Sequence, residues 1–528
     1  MTEKGTLVKA AGLILAISII GRLLGFVREQ VIAAEFGTTM ATDAYLMAFT
    51  IPNLIYVILG GALATAFIPV FTSTNINQGR EEASRLASYI ANLASLVMII
   101  IAVLGILLAP VLVSLIAPGF SPEAKALTVK LARIMFPCVL LYTLSMIQGG
   151  ILNSLRHFTM PAFTSAAFSG TVILSVFLLV PEMGIHGLAL GTVLAMVVQV
   201  LIQVPAMFGR GLRYYPSVSL THPGVRKIGE LVLPVMIGTG VNQIYVTIDR
   251  ILASTLSEGS LAALNFANKL MFLPFNLFVV AINTAVFPSF SALAAKGDHK
   301  GLGDTMVFGL NLVGLFTIPA AVGLFVLSSP IVRVLFERGA FDAQSTQMTA
   351  FALQFFIFGL FAQGAYNVIN RTYYALHDTK TPVKISIAVV ILNLVFSLIL
   401  IRYLQHGGLA LSNSLAALVN MCLAYWLLRP RLPDLPEKKL FINLGKILMA
   451  SVLMGLGVHL LDILLAARLD LTYLKGQLIH LGACMTFGVA LYMVLVALLR
   501  VDEVQEFLGR LASRLKGKAR QDGEREEV

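Results

Sequence analysis

The chain has 528 residues, of which 58% are hydrophobic and only 12% charged, with a formal net charge of +11 and a mean hydropathy of +0.87. Soluble domains carry roughly 25% charged residues, so a water-dispersed globule is excluded, and the basic excess reads as membrane topology, with no nucleic acid implied. Apolar stretches approaching the ~20 residues that span a bilayer begin near residues 7, 42, 86, 126, 161, 187, 228, 261, 305, 345, 383, 408, 441 and 474. Period-2 alternation is not sustained anywhere, which argues against strands. The expected fold is an all-α polytopic membrane protein of about fourteen transmembrane helices. Lys4 and Lys9 precede the first apolar run, but Arg22 and Arg28 interrupt it and no small-residue cleavage site precedes them. It reads as a retained helix and not a signal peptide.

The connections sort by charge. Alternate loops hold Arg80 and Arg85; Arg156; Arg210, Arg213, Arg226 and Lys227; Lys296 and Lys300; Lys380 and Lys384; and Arg429, Arg431, Lys438 and Lys439. The intervening loops are poorer in Lys and Arg, so both termini are expected in the cytoplasm. After the last span, Val501, Val504, Phe507, Leu508, Leu511 and Leu515 recur at helical spacing opposite Arg510, Arg514, Lys516 and Lys518. This pattern predicts a basic amphipathic helix on the cytoplasmic leaflet.

Self-similarity divides the chain further. Gly187-Leu188-Ala189-Leu190 recurs as Gly408-Leu409-Ala410-Leu411, and Leu155 to Pro161 aligns with Leu376 to Pro382 at the same offset. Thr65-Ala66, Pro69 and Phe71 recur as Thr284-Ala285, Pro288 and Phe290, with an offset two residues smaller. The repeat predicts an N-lobe at 1–220 and a C-lobe at 221–432, six helices each. Two further helices at 433–500 and the basic tail at 501–528 complete the chain. Six being even, the copies share one orientation, as in transporters that open a site between lobes to each side in turn.

Charges inside apolar spans are costly and normally face a cavity or a partner. The first helix carries Arg22, Arg28 and Glu29, with Gly21 and Gly25 forming a small-xxx-small pattern that also suits close helix packing. Arg22 and Arg28 are read as anion-binding; an ion pair between Arg22 and Glu29 is the bland alternative. Asn265, Lys269, Asn276 and Asn283 fall on one helix face, and Gln363, Asn367, Asn370 and Tyr374 form a similar stripe. Each reads as cavity lining, against a structural hydrogen-bond ladder. Asp43 reads equally as a cap of its own helix or as functional. Asp249, with Asn242 one heptad before it, suggests a coupling cation, against pairing with Arg250 or an adjacent turn. The three cysteines, Cys138, Cys422 and Cys484, show no metal spacing and no disulfide framework, and are expected as small buried hydrophobes. His157, His377 and His406 sit beside loops and are expected at the surface. The sequence holds no phosphate-binding loop of the Walker type, no HExxH and no nucleophile elbow, so the chain is expected to be a transporter and no enzyme.

Gly21-Arg22-Leu23-Leu24-Gly25-Phe26-Val27-Arg28, Met40-Ala41-Thr42-Asp43-Ala44 and Ile51-Pro52-Asn53-Leu54 resemble the start of the MurJ (MviN) lipid II flippases. Ala117-Pro118-Gly119-Phe120, Ile151-Leu152-Asn153 and Lys380-Thr381-Pro382-Val383-Lys384 are also similar to that family. The resemblance implies a fold of the multidrug/oligosaccharidyl-lipid/polysaccharide exporter class. It implies translocation of lipid-linked peptidoglycan precursor across the bacterial inner membrane by alternating access. The expected substrate-binding set is Arg22, Arg28, Asp43, Asn53, Asn265 and Lys269. Lys269 stands where members often have Arg, Tyr56 where some have Arg and Phe272 where some have an acid, so the cation cluster is smaller here. Asp249 resembles a member of the family's sodium site, which implies coupling to Na⁺ or membrane potential and no other cofactor. Expected partners are lipid II, membrane lipids and other cell-wall synthesis proteins around a monomer. The runner-up is an exporter of another polyprenyl-linked glycan, or a drug/cation antiporter of the same superfamily. Arg and Lys suit the diphosphate of lipid II through charge-assisted hydrogen bonds; Asn stripes suit its sugars and peptide.

Overall fold

In hydrocarbon every backbone N–H and C=O must find its partner within the segment, and α-helices meet that demand. The computed structural model describes residues 3–432 and 434–505 and is helical throughout, with no strand among the described residues. Thirteen helices there are long and apolar enough to cross a membrane, and α1 (Glu3–Phe36) precedes them, a total consistent with the expected fourteen. They are α2 (Met40–Asn77), α3 (Arg80–Ile116), α4 (Pro122–Ser154), α5 (Thr159–Met183), α6 (Ile185–Phe208), α7 (Pro223–Ala253), α8 (Ser260–Ala295), α9 (His299–Val326), α10 (Ala343–Ala375), α11 (Lys380–Leu404), α12 (His406–Arg431), α13 (Glu437–Ala466) and α14 (Leu474–Leu498). A nine-residue helix, Ser328–Phe336, lies between α9 and α10. Large apolar side chains remain exposed along these helices; Leu107 of α3 is 68% exposed, as a lipid-facing residue should be.

The chain packs as two compact units. The first takes the chain through Ala262 together with Arg338–Ser345; the second takes Ala263–Glu337 and the chain from Thr346 onward. In the first, α1 packs along α5, α5 along α6, and α2 against α4 and α7. In the second, α11 packs along α12, α9 against α13, and α13 against α14. Packing therefore places α7 with the first unit, although the sequence repeat begins a new copy there.

Backbone features recur at the two sequence offsets. Wide π-helical turns interrupt α2 at Tyr56–Gly60 and α8 at Phe275–Val279. Arg156 and His377 both adopt positive φ, 57° and 58°. Each terminates its helix in a Schellman motif: His157 N donates to Leu152 O as Asp378 N does to Tyr373 O. Gly187 and Gly408 pack on the carbonyls of Leu179 and Leu400, where a Cβ would lie 2.7 and 2.4 Å away. Only glycine permits that approach of two helix backbones.

Two expectations are corrected, those for His406 and Cys422. At the start of the tail, Val501 and Val504 are buried, and Arg500 to Glu503 are tied down. Lys446 Nζ donates to Arg500 O at 2.8 Å, and Asn311 Nδ2 donates to the buried Glu503 carboxylate at 2.6 Å. Phe507, Leu508, Leu511, Leu515 and the basic residues from Arg510 lie outside the described residues. His406 is buried, with Nε2 3.0 Å from Met348 O, since it opens α12 against α10. Cys422 is exposed, whereas Cys138 and Cys484 are buried as expected.

Candidate substrate-binding residues

α1 carries its charges on a helix whose small residues seat it against α5. A Cβ on Gly21 would lie 3.4 Å from Ser165 Oγ, and one on Gly25 3.7 Å from Ser169 Oγ, so the small-xxx-small face is a packing seam. Arg28 is turned partly inward: Nη2 donates to the buried Glu29 carboxylate at 2.6 Å, and the guanidinium lies 5.3 Å from the centre of the Phe168 ring. This ion pair takes Glu29 to its neighbour Arg28, in place of the Arg22–Glu29 pair weighed from spacing. Nearby on α2, the Tyr45 hydroxyl lies 2.8 Å from Thr192 Oγ1. Arg22 is exposed. The fixed geometry of Arg28 leaves further guanidinium N–H groups for a second anion.

Asp43 is buried, and both of its oxygens are used. Gly259 N donates to Oδ2 and Ala262 N to Oδ1, each at 2.7 Å. The side chain thus caps α8, more than two hundred residues away, and not its own helix. Gly259 has φ of +82°, and a Cβ there would lie 2.2 Å from Thr38 O, so glycine is required. The same α1–α2 turn is gripped by Arg338–Ser345: Ala340 N donates to Ala34 O at 2.7 Å, and Thr38 Oγ1 to Ser345 Oγ at 2.8 Å. The Ala117-Pro118-Gly119-Phe120 turn has a similar purpose, with Gly119 pressed on Ser254 and Thr255 after α7.

Asn53 Oδ1 accepts from the Tyr56 hydroxyl, and the Tyr56 ring lies 3.9 Å from that of Tyr142. Tyr56 therefore fills its position with a hydrogen bond and ring packing. Asp249 is half-buried on α7; the side chain of Asn242 lies outside the described residues. Arg250, considered from the sequence only as a partner for Asp249, donates to Thr50 Oγ1 at 2.7 Å and Leu46 O at 3.2 Å on α2. The signal for it was the rule that intramembrane cations need polar company; its place near the helix end obscured that signal.

In the second unit the α8 stripe divides. Lys269 and Asn276 are exposed and Asn265 is half-buried, but Asn283 is buried and donates to Val279 O at 2.9 Å. The π turn at Phe275–Val279 adds a residue to one helical turn and rotates the C-terminal half of the helix. Phe272 packs edge-on against Phe275. The α10 stripe stays together: Asn367 Nδ2 donates to Gln363 O at 3.0 Å, and Asn370 Nδ2 to the Tyr374 hydroxyl at 3.3 Å. Asn370 Oδ1 is buried with no hydrogen-bond partner among the described residues. Arg371 lies over the Phe287 ring at 4.7 Å.

A family model described as lipid II flippase MurJ matches residues 32–478. The probable lipid II flippase MurJ of Vibrio cholerae serotype O1 is 32% identical over 80% of this chain and 83% of its own length. The corresponding protein of Rickettsia prowazekii is 31% identical over 93% and 97%. The lipid II flippase MurJ of Burkholderia cenocepacia is 29% identical over 90% and 94%. A solved structure of lipid II flippase MurJ in an inward closed conformation superposes with a TM-score of 0.78 at 26% identity, covering 93% of this chain and 99% of that one. An inward-facing multidrug transporter of the MATE family shares the fold alone, with a TM-score of 0.69 at 16% identity over 81% and 99%. By the family match and by identity along most of its length, the chain belongs to the MurJ family of lipid II flippases.

Proposed function

We propose that this chain translocates lipid II, the lipid-linked peptidoglycan precursor, from the inner to the outer leaflet of the bacterial cytoplasmic membrane by alternating access. The observation that carries this reading is the family match across 32–478. The geometry adds a cation of the right kind: Arg28, held beside Glu29 and Phe168 within a bilayer-length helix. Lipid II has a diphosphate that hydrocarbon rejects and a polyprenyl tail that it accepts. Arg28 and Arg22 of the first unit are assigned to the diphosphate, where charge-assisted hydrogen bonds are strongest, and Lys269 of the second unit is assigned to substrate binding as a further cation. Asn265, Asn276 and the α10 stripe are assigned to the sugars and peptide, which need neutral donors and acceptors. Asn53, whose oxygen takes the Tyr56 hydroxyl, offers its amide N–H groups to the same ligand.

Asp43 enters this reading through position: by capping α8 it sets the start of the helix that bears Lys269. Both termini lie in the cytoplasm, in keeping with the basic loops. Asp249, an intramembrane carboxylate of the kind that suits a hard cation, is assigned to Na⁺ coupling. The protein works as a monomer among membrane lipids, beside other cell-wall synthesis proteins. A purified, reconstituted preparation offered lipid II and other polyprenyl-linked glycans tests the reading directly. Saturable lipid II binding and growth of a flippase-depleted strain are expected; equal preference for an unrelated glycan and no rescue would overturn it.

A further inference from the structure

α13 and α14 stand outside the twelve helices of the repeat, and their packing brings three metal-binding side chains to one point. His480 and Cys484 are four residues apart on α14, so they share one face, a turn apart. Asp462 faces them from α13. His480 Nε2 lies 3.1 Å from Asp462 Oδ1, and the donor atoms of all three residues lie within 4.8 Å of one another. His480 and Cys484 are buried while Asp462 is partly open. From the sequence Cys484 shows no metal spacing, because its partners are a single residue on its own helix and another on the neighbouring helix.

We propose that Asp462, His480 and Cys484 form a zinc-ion site that cross-links α13 to α14. The donor set selects the ion. Calcium and magnesium take oxygen ligands and leave thiolate and imidazole aside. Zinc accepts sulfur, nitrogen and oxygen together, with bonds of about 2.0–2.3 Å in a tetrahedron. Donor atoms already within 4.8 Å reach that geometry by side-chain rotation. Three protein ligands leave the fourth corner to water. On binding, the Cys484 thiol releases its proton to solvent. His480 coordinates through Nε2 as a neutral imidazole with its proton on Nδ1, and Asp462 exchanges its contact with His480 for the metal. No electron changes hands. The ion has a route in, since Asp462 lies four residues before the end of α13, about 6 Å along the helix axis. Its side chain is 21% exposed.

The simpler arrangement is an interhelical His480–Asp462 hydrogen bond with Cys484 as apolar filler. That arrangement has no use for a thiolate, and the two are therefore separable. The full-length protein in detergent is stripped with chelator, loaded with Zn²⁺ or Co²⁺ and washed. Stoichiometric zinc is expected by elemental analysis. The Co²⁺ form is expected to show a thiolate-to-cobalt charge-transfer band in the near ultraviolet. Cys484→Ser should lose that band, and Cys484→Ser and His480→Gln should each weaken Zn²⁺ binding by at least the roughly tenfold seen for lost outer-shell partners. Cys138→Ser and Cys422→Ser should bind as the parent does. Absence of the charge-transfer band in the unsubstituted protein, or equal zinc content with and without the Cys484 thiol, would overturn the proposal and leave the hydrogen bond alone. The spectrum of the unsubstituted protein reads the site without relying on any variant to fold.

Discussion

Asp43 and Gly259 are joined by a 2.7 Å hydrogen bond from the Gly259 N–H to Asp43 Oδ2, and Ala262 N completes the cap on the other oxygen. A carboxylate placed in this way satisfies two of the four N–H groups that open a helix. Asp43→Ala leaves both unsatisfied in a buried position and should cost about 1–3 kcal/mol per lost partner. Asp43→Asn keeps one acceptor and should fall between. Thermal unfolding of the purified variants checks the order. Unchanged unfolding with lost lipid II affinity would instead make Asp43 a direct ligand.

Arg28→Ala should abolish rescue of a flippase-depleted strain. It also takes the cation away from buried Glu29, and breaking a buried pair costs about 3–5 kcal/mol, so the variant should accumulate poorly. The double variant Arg28→Ala with Glu29→Gln removes that electrostatic cost. It should return to normal membrane levels and still fail to rescue. Rescue by the double variant would show Arg28 to be structural. Arg28→Lys should be partly active if charge is enough and inactive if bidentate contact is needed.

Lys269 is exposed on the portion of α8 that precedes the π turn. Lys269→Arg should retain activity, Lys269→Gln should lose it, and Lys269→Glu should lose it more severely. Loss of one charge-assisted contact of about 1.5–3 kcal/mol weakens binding roughly tenfold or more. Lipid II affinity measured beside membrane accumulation decides. Unchanged affinity for Lys269→Gln would place Lys269 among structural hydrogen bonds.

The connection between α10 and α11 should respond to acid. The Thr381 hydroxyl and N–H, with Arg431 at 2.6 Å, hold the Asp378 carboxyl well below the ordinary carboxylate range. Because the folded value is depressed, this stabilisation is present in full above the unfolded value near ~3.9 and fades as pH falls through the folded one. Amide exchange at 376–382 should rise on acidification. Asp378→Asn should show the loosened state already at neutral pH.

Topology is checked by single cysteines in a background with Cys138, Cys422 and Cys484 replaced. Sites within Arg210–Lys227 should resist impermeant thiol reagents in intact cells, and a site beside Glu258 should react. Equal labelling of the two would invert or dismiss the assignment.

Local sequence chemistry determined the fold class: apolar runs of bilayer length fold as helices in lipid. It also determined the repeat, because Gly187 and Gly408 sit where only glycine lets two helix backbones meet. The chemical type of the candidate residues was legible too, since a charge inside an apolar span announces itself. Their partners were not. Spacing along an ideal helix offered Glu29 to Arg22, but side-chain directions gave it to Arg28. Asp43 read equally as a cap for its own helix or as functional, and the tertiary structure makes it a cap for α8. The Asn283 end of the polar stripe left the exposed face because a π turn, invisible to a fixed 3.6-residue period, rotated it away. Asp462, His480 and Cys484 came together through the packing of α13 on α14. Residue type and local period are properties of the chain, whereas the pairing of distant groups depends on how helices cross, which only the packed structure decides.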